Sequence, residues 1–181
     1  VYSVVVDKEG NVSYNGEMFV YKSGEYNWKI SKKKIKRLND LLKEFDFKSF
    51  VYEPGDKFIT DQASCITTVK FTDSEIKEIN HYLGDLLLDD SLTVFEKNIE
   101  KIIGIKKYVN PKLYIYEVAR KSSKNIEKPC DRYLVISASE EEAIVLIKKE
   151  CSNGELLELE AQKIGVAIND YYGPVIFMKG I

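Results

Sequence analysis

Five of the six residues from 32 to 37 are cationic: Lys32, Lys33, Lys34, Lys36 and Arg37. Ser31, just ahead of them, is a favourable N-cap, so the run falls at the start of a helix. A cation in a first helical turn opposes the helix dipole by about 0.3–1 kcal/mol. A sequence serving folding alone would more comfortably carry acids there. The chemistry this pattern suits is capture of an anion or an acidic partner, aided by the free N–H groups of a helix start. Trp28, with Tyr26, lies just upstream and completes a candidate basic-aromatic patch. The plainer alternative is a solvated helix face balanced by acids elsewhere in space.

A second candidate is nucleophilic. Cys65 and the one histidine, His81, have the types of a thiol and its base. Asp61 or Asp85 would supply the carboxylate of a small hydrolase. If residues 64–71 pair with 76–83 around Thr72–Glu75, His81 sits opposite Ile66 and Cys65 opposite Tyr82. The two side chains then point to opposite faces, and a shift of one residue would bring them together. Outside such a pair, His81 reads as a partly exposed strand histidine and Cys65 as a small buried hydrophobe.

Other chemistries find little support. Glu53, Asp56 and Asp61 share one loop and have the ligand type of a hard-cation site, but with Pro54 and Gly55 they read as an ordinary turn. None of the 10 glycines forms a GxG pair, and no phosphate-loop or GxSxG pattern occurs. One histidine excludes HExxH, and the three cysteines have no CxxC spacing. Ser31-Lys32-Lys33-Lys34 and Lys22-Ser23-Gly24 resemble motifs of serine penicillin-recognising enzymes. Their order is reversed, S-D-N is missing and the chain is too short. The sequence thus predicts no cofactor and no metal, and it leans away from an enzyme.

Composition narrows the classes further. The chain has 181 residues, 27 Lys and Arg against 29 Asp and Glu, and 44% hydrophobic residues. Residues 1–110 hold 17 bases and 18 acids, and residues 111–181 hold 10 and 11. Neither half is the strongly basic domain of a typical nucleic-acid binder. No apolar run is long enough for a membrane helix. Cysteine usage favours a reducing compartment and so the cytoplasm. The sequence opens on strand-like Val1-Tyr2-Ser3-Val4, which leaves room for a trimmed leader and hence export.

These residues must be positioned by an α+β fold. Val1–Asp7, Val12–Tyr14, Met18–Tyr21 and Tyr26–Ile30 read as short strands of an antiparallel meander. Ile35, Leu38, Leu42 and Phe45 recur at helical spacing and predict a helix near 31–46. Cys65–Phe71 and Ile76–Leu83 read as a hairpin. Leu92, Phe95, Ile99 and Ile102 predict a second helix near 91–104, stopped at Gly104. Asn110-Pro111 is the best boundary, giving domains 1–110 and 111–181. The second has the order β-β-α-β-β. Ser139 and Glu142 form a capping box ahead of its helix, Asn153-Gly154 ends that helix, and Leu156–Ala161 and Val175–Met178 supply the last strands. The expected architecture is two small domains, antiparallel sheets each packed against one or two helices.

The first half resembles a family of uncharacterised bacterial domains known only as a domain of unknown function. The resemblance rests on Val1-Tyr2-Ser3, on Gly10-Asn11-Val12-Ser13-Tyr14-Asn15-Gly16, and on Ile30-Ser31 opening a helix that ends at Asp46-Phe47. Thr60-Asp61 before a strand and His81-Tyr82-Leu83-Gly84 after it extend the likeness over residues 1–105. It implies a strand for Ile76–Leu83 and brings no catalytic motif. The second half is similar, through Tyr133–Ala143, to small α+β modules of bacterial and phage proteins. The sequence supports first a non-catalytic binding or protein-interaction module. The alternatives are the Cys65 or His81 hydrolase and an anion or nucleic-acid binder centred on Lys32–Arg37.

Overall fold

The computed structural model describes residues 1–86, 90–120, 132–150, 158–167 and 175–179. The fold is α+β. Among the described residues it has three antiparallel sheets and four helices. Strands β1 (Tyr2–Val6), β2 (Asn11–Gly16) and β3 (Gly24–Lys29) form one sheet in that order. The fourth early strand expected at Met18–Tyr21 is absent. Phe19 takes φ 56, which a β ladder does not accommodate. The N–H groups of Tyr21 and Lys22 instead donate to the carbonyls of Val109 and Tyr108. Tertiary hydrogen bonding has overridden a strand-like sequence.

The residues divide into two compact units. One holds residues 6–12 and 28–104. It contains helix α1 (Lys32–Glu44), the hairpin of β4 (Ser64–Lys70) and β5 (Ile76–Tyr82), and helix α2 (Ser91–Ile103). The side chain of Ser31 accepts from the N–H of Lys34, so the predicted cap is present. Helix α2 ends on Gly104 in the left-handed conformation, φ 87, where a glycine stop is favoured. The core of this unit is Phe47, Ile79, Leu92 and Phe95, with Leu41, Leu42, Phe45 and Ile99 packed against it. The apolar spacing of both predicted helices is thereby used.

The other unit holds residues 1–5, 13–27 and 105–181. After the short helix α3 (Lys106–Val109) come β6 (Tyr114–Arg120), β7 (Arg132–Ser137), α4 (Glu140–Glu150), β8 (Leu159–Val166) and β9 (Val175–Lys179). This is the predicted β-β-α-β-β order, although β8 runs on to Val166, past the Ala161 expected to end it. The strands pair as β8-β6-β7-β9, all antiparallel. Tyr116, Val118, Val135, Ala143, Ile147 and Leu159 form one core cluster. Tyr21, Leu113, Ile136 and Ala167 form another. Tyr2, Tyr14, Tyr26 and Tyr108 make a chain of ring contacts in the same unit. The expected helix stop at Asn153-Gly154, with Cys130 and Cys151, lies outside the described residues.

The capping box of α4 takes a different form from the expected one. Ser139 Oγ accepts from the N–H of Glu142, but the Glu142 carboxylate does not close the box on Ser139. It accepts from Tyr21 Oη, Lys22 Nζ and the N–H of Ala138. Burial works against the Glu142 carboxylate, yet Lys22 and Tyr21 outweigh it and hold the carboxyl below the ordinary glutamate range. A lowered folded-state pKa gives stability that is complete above the unfolded value and lost as pH falls through the folded one. Glu142→Gln is therefore expected to cost about 1.5–3 kcal/mol at pH 7, the range for hydrogen bonds to charged groups. That deficit should narrow at pH 3. Urea unfolding at both pH values measures it, and an unchanged gap would show that the carboxylate charge is not what matters.

Candidate functional site

The cationic run begins at a shallow groove in the unit of residues 6–12 and 28–104, and Lys32 is the member of the run that lines it. The groove is built from the β1–β2 turn, the end of β3 and the start of α1. Gly10, at φ 83, accepts at its carbonyl from the N–H of Ile30. A Cβ on Gly10 would lie 2.8 Å from both Ile30 O and Ile35 Cδ1, so only glycine permits this approach. Asp7 fixes the turn by accepting from the backbone N–H and side-chain amide of Asn11. The resulting groove encloses about 670 Å³, and Lys8, Glu9, Lys29, Ile30, Ser31, Lys32 and Ile35 line it.

The five cations of the run are exposed. Among the described residues, none of them forms an ion pair. This is unexpected in a chain with more acids than bases. Lys34 has a structural setting: its Nζ lies 3.8 Å from where a Cβ of Gly104 would stand, at the C-terminal end of α2. A cation is favoured there by the helix dipole. At 100° per residue, Lys32, Lys36, Lys33 and Arg37 fall within one arc of about 140° around α1. Trp28 is not part of the groove lining. Its indole N–H donates to the carbonyl of Ile103, 3.1 Å away, and its side chain is half-buried.

The thiol and histidine are brought onto one face of the β4–β5 hairpin. The register of β4 and β5 differs by one residue from the expected one, and Cys65 pairs directly with His81. The loop is the reason. The N–H of Phe71 donates to the carbonyl of Glu75, leaving three residues in the turn, with Ser74 left-handed at φ 68. A three-residue loop with a left-handed last position is a regular hairpin solution. His81 is also not partly exposed but 2% exposed. Its partner is Glu96 of α2, with His81 Nδ1 2.9 Å from Glu96 Oε2. Asp85 and Asp61 do not fill that role. Asp85 accepts from Tyr52 Oη and from the N–H of Gly55, and Asp61 is exposed. Tyr52 places its ring edge-on to His81 at 5.3 Å.

This constellation has the residue types of a thiol triad without its electrostatics. Burial, then the negative charge of Glu96, pushes the Cys65 thiol up to about 12. A catalytic thiol needs the opposite environment, one that stabilises thiolate. Glu96 Oε1 is buried without a hydrogen-bond partner. Among the described residues, no group of three or more His, Cys, Asp or Glu side chains is arranged to hold a metal ion.

Both clusters lie within residues 1–103, and that stretch matches the model of a family described as a domain of unknown function, DUF6438. The chain belongs to the DUF6438 family. No curated protein and no solved structure matches it. The family match confirms the likeness read from the first half of the sequence. Tyr21 and Lys22 lie inside the DUF6438 stretch, whereas their partner Glu142 lies beyond it. The DUF6438 residue that sequence reasoning missed is Glu96. Its signal was present: Glu96 sits four residues after Leu92 and three before Ile99, an acid on the apolar stripe of α2. A carboxylate in that position needs a buried partner, and His81 is the one histidine available.

Proposed function

We propose that this DUF6438 chain is a non-catalytic binding module that engages an anionic partner through the groove at the start of α1. The observation that carries this reading is the set of exposed, unpaired cations Lys32, Lys33, Lys36 and Arg37 at the start of α1, of which Lys32 lines the groove with Lys8, Glu9 and Lys29. Unpaired like charges held together repel one another, and an anion relieves that repulsion. The non-catalytic half of the reading is supported by the inward-facing His81–Glu96 pair and by a thiol held in its neutral form. Among the described residues, no helix is long and apolar enough to cross a membrane.

A thermal-shift titration tests it with inorganic pyrophosphate, citrate and a polyglutamate peptide as probes. A ligand at 100 times its Kd stabilises by about 2.7 kcal/mol, which for a chain of this length is a shift of several degrees. At least one probe is expected to raise Tm in the wild type and to lose that effect in Lys33→Glu/Lys36→Glu. A flat response to all three probes, or a shift that survives the double charge reversal, would place binding elsewhere.

A further inference from the structure

The hairpin of β4 and β5 is a sheet of two strands, so each strand has one open edge. The N–H of Phe71 donates to the carbonyl of Glu75, and that of Leu83 to the carbonyl of Ala63. With Ser64 opposite Tyr82 and Lys70 opposite Ile76, the alternation of an antiparallel ladder turns the backbone of Cys65, Thr67 and Val69 towards β5. The backbone of Ser64, Ile66, Thr68 and Lys70 faces the other way. Among the described residues, no hydrogen bond reaches the N–H and C=O groups of these four from that side. Their side chains are exposed, Ile66 at 59%. Open edges are normally blunted by charges, proline or a bulge, because an unguarded edge pairs with another chain. β5 carries Lys77 and Glu78. β4 has no charge from Ser64 to Val69, no proline and no break in its register. Its Ile, Thr and Val residues favour an extended strand.

We infer that the β4 edge pairs with the β4 edge of a second copy of this chain, joining two hairpins into one four-stranded antiparallel sheet. Self-complementarity singles out the second copy as the occupant. A two-fold axis at Thr67 sets Ile66 opposite Thr68 of the other copy and Ser64 opposite Lys70, and every outward N–H and C=O of β4 then finds a partner. The one charge of the strand, Lys70, meets a serine, so no like charges face each other. Thr67 meets Thr67, a favourable cross-strand pair. Each Ile66 lies diagonal to the other, about 7–8 Å away and within reach of a long side chain, so the two exposed isoleucines cover one another. The β5 edge lacks this fit. Its full-length pairing, centred on Ile79, sets Glu78 diagonal to Glu78. The inner face of the hairpin already packs on α2 through Val69 and Ile79. Pairing at the β4 edge extends the ladder and leaves that packing in place.

Sedimentation velocity of the full chain from about 1 μM to about 0.5 mM tests this, a span that reads Kd values from micromolar to tenths of millimolar. A dimer is expected to form as concentration rises. Ile66→Lys sets two cations diagonal across the axis, and Thr68→Pro removes one outward N–H. Each should raise the dimer Kd by about tenfold or more. Neither removes a backbone bond to β5, since proline is tolerated where the N–H faces an open edge. Asn80→Lys, on the β5 edge, should leave the dimer unchanged. Amide hydrogen exchange of the wild type, read by NMR at both ends of the concentration range, gives a second readout that needs no variant. The Ile66, Thr68 and Lys70 amides should gain protection with concentration, while those of Thr67 and Val69, bonded to β5, stay protected throughout. A chain monomeric over the whole range, a dimer indifferent to both β4 variants, or protection gained at β1 or β5 amides instead would overturn the inference. A monomer whose β4 amides gain protection only from an added Thr-Val repeat peptide would overturn the second copy as the occupant.

Discussion

Replacing Glu96 with alanine is expected to lower the stability of the folded chain by about 3–5 kcal/mol, the range for breaking a buried ion pair by removing one partner. His81 would be left 2% exposed among apolar groups, with nothing to accept from its Nδ1–H. The pair itself need not be a net source of stability, because drawing a carboxylate and its polar partner out of water costs about as much as their attraction returns. The discriminating variant is therefore the double one, His81→Leu/Glu96→Leu. It should recover most of the loss and could exceed the wild type. Chemical denaturation of the three variants measures this. A cost below about 1 kcal/mol for Glu96→Ala is the range of solvent-exposed pairs and would mean that water reaches the site. Cys65 supplies a second readout. Without the neighbouring carboxylate one cause of its raised pKa disappears. Its alkylation by iodoacetamide, followed peptide by peptide, should accelerate in Glu96→Ala relative to the wild type.

The course of the chain was legible where local chemistry and tertiary packing agree. Ser31 caps α1 because its side chain and the apolar spacing behind it point the same way. Gly104 stops α2 for the same reason, and the β-β-α-β-β order follows from alternation, a capped helix and turn residues. The failures share a cause as well. Met18–Tyr21 has strand propensity, but the N–H groups of Tyr21 and Lys22 find their acceptors 86 to 88 residues away at Tyr108 and Val109. The hairpin register turned on whether Ser74 would take a left-handed conformation, and Thr72–Glu75 contains no glycine to announce it. Glu142 announced a capping box, and only the folded chain brings Tyr21 and Lys22 to compete for its carboxylate. For the candidate site, the cations and their helix were visible from sequence. The groove was not, because Lys8 and Lys29 reach it through the close approach of Gly10 to Ile30. Nor was the neutrality of the Cys65 thiol, which depends on a carboxylate from a helix that starts 26 residues later.

Phe95→Ala is the second substitution with a large expected effect, about 3–5 kcal/mol for a buried phenylalanine truncated in a packed core. Phe95 is 2% exposed, and its ring stacks on Phe45 at 4.2 Å and on Phe47 at 5.5 Å. Each such pair adds about 0.5–1.5 kcal/mol beyond the area buried. The consequence reaches the groove. Helix α1 contains no fully buried residue, so its position depends on partly buried side chains. Phe45, at its C-cap, is one of those packed against the Phe95 cluster. Loss of the Phe95 ring should therefore loosen α1 more than an equal loss of stability placed elsewhere. Ile147→Ala, in the core of the other unit, provides that comparison at about 2–5 kcal/mol. Hydrogen exchange is expected to accelerate at α1 amides in Phe95→Ala and to leave them protected in Ile147→Ala. Equal acceleration in both variants would mean that α1 opens only with the whole fold, and its cations would then be as rigidly presented as the core itself.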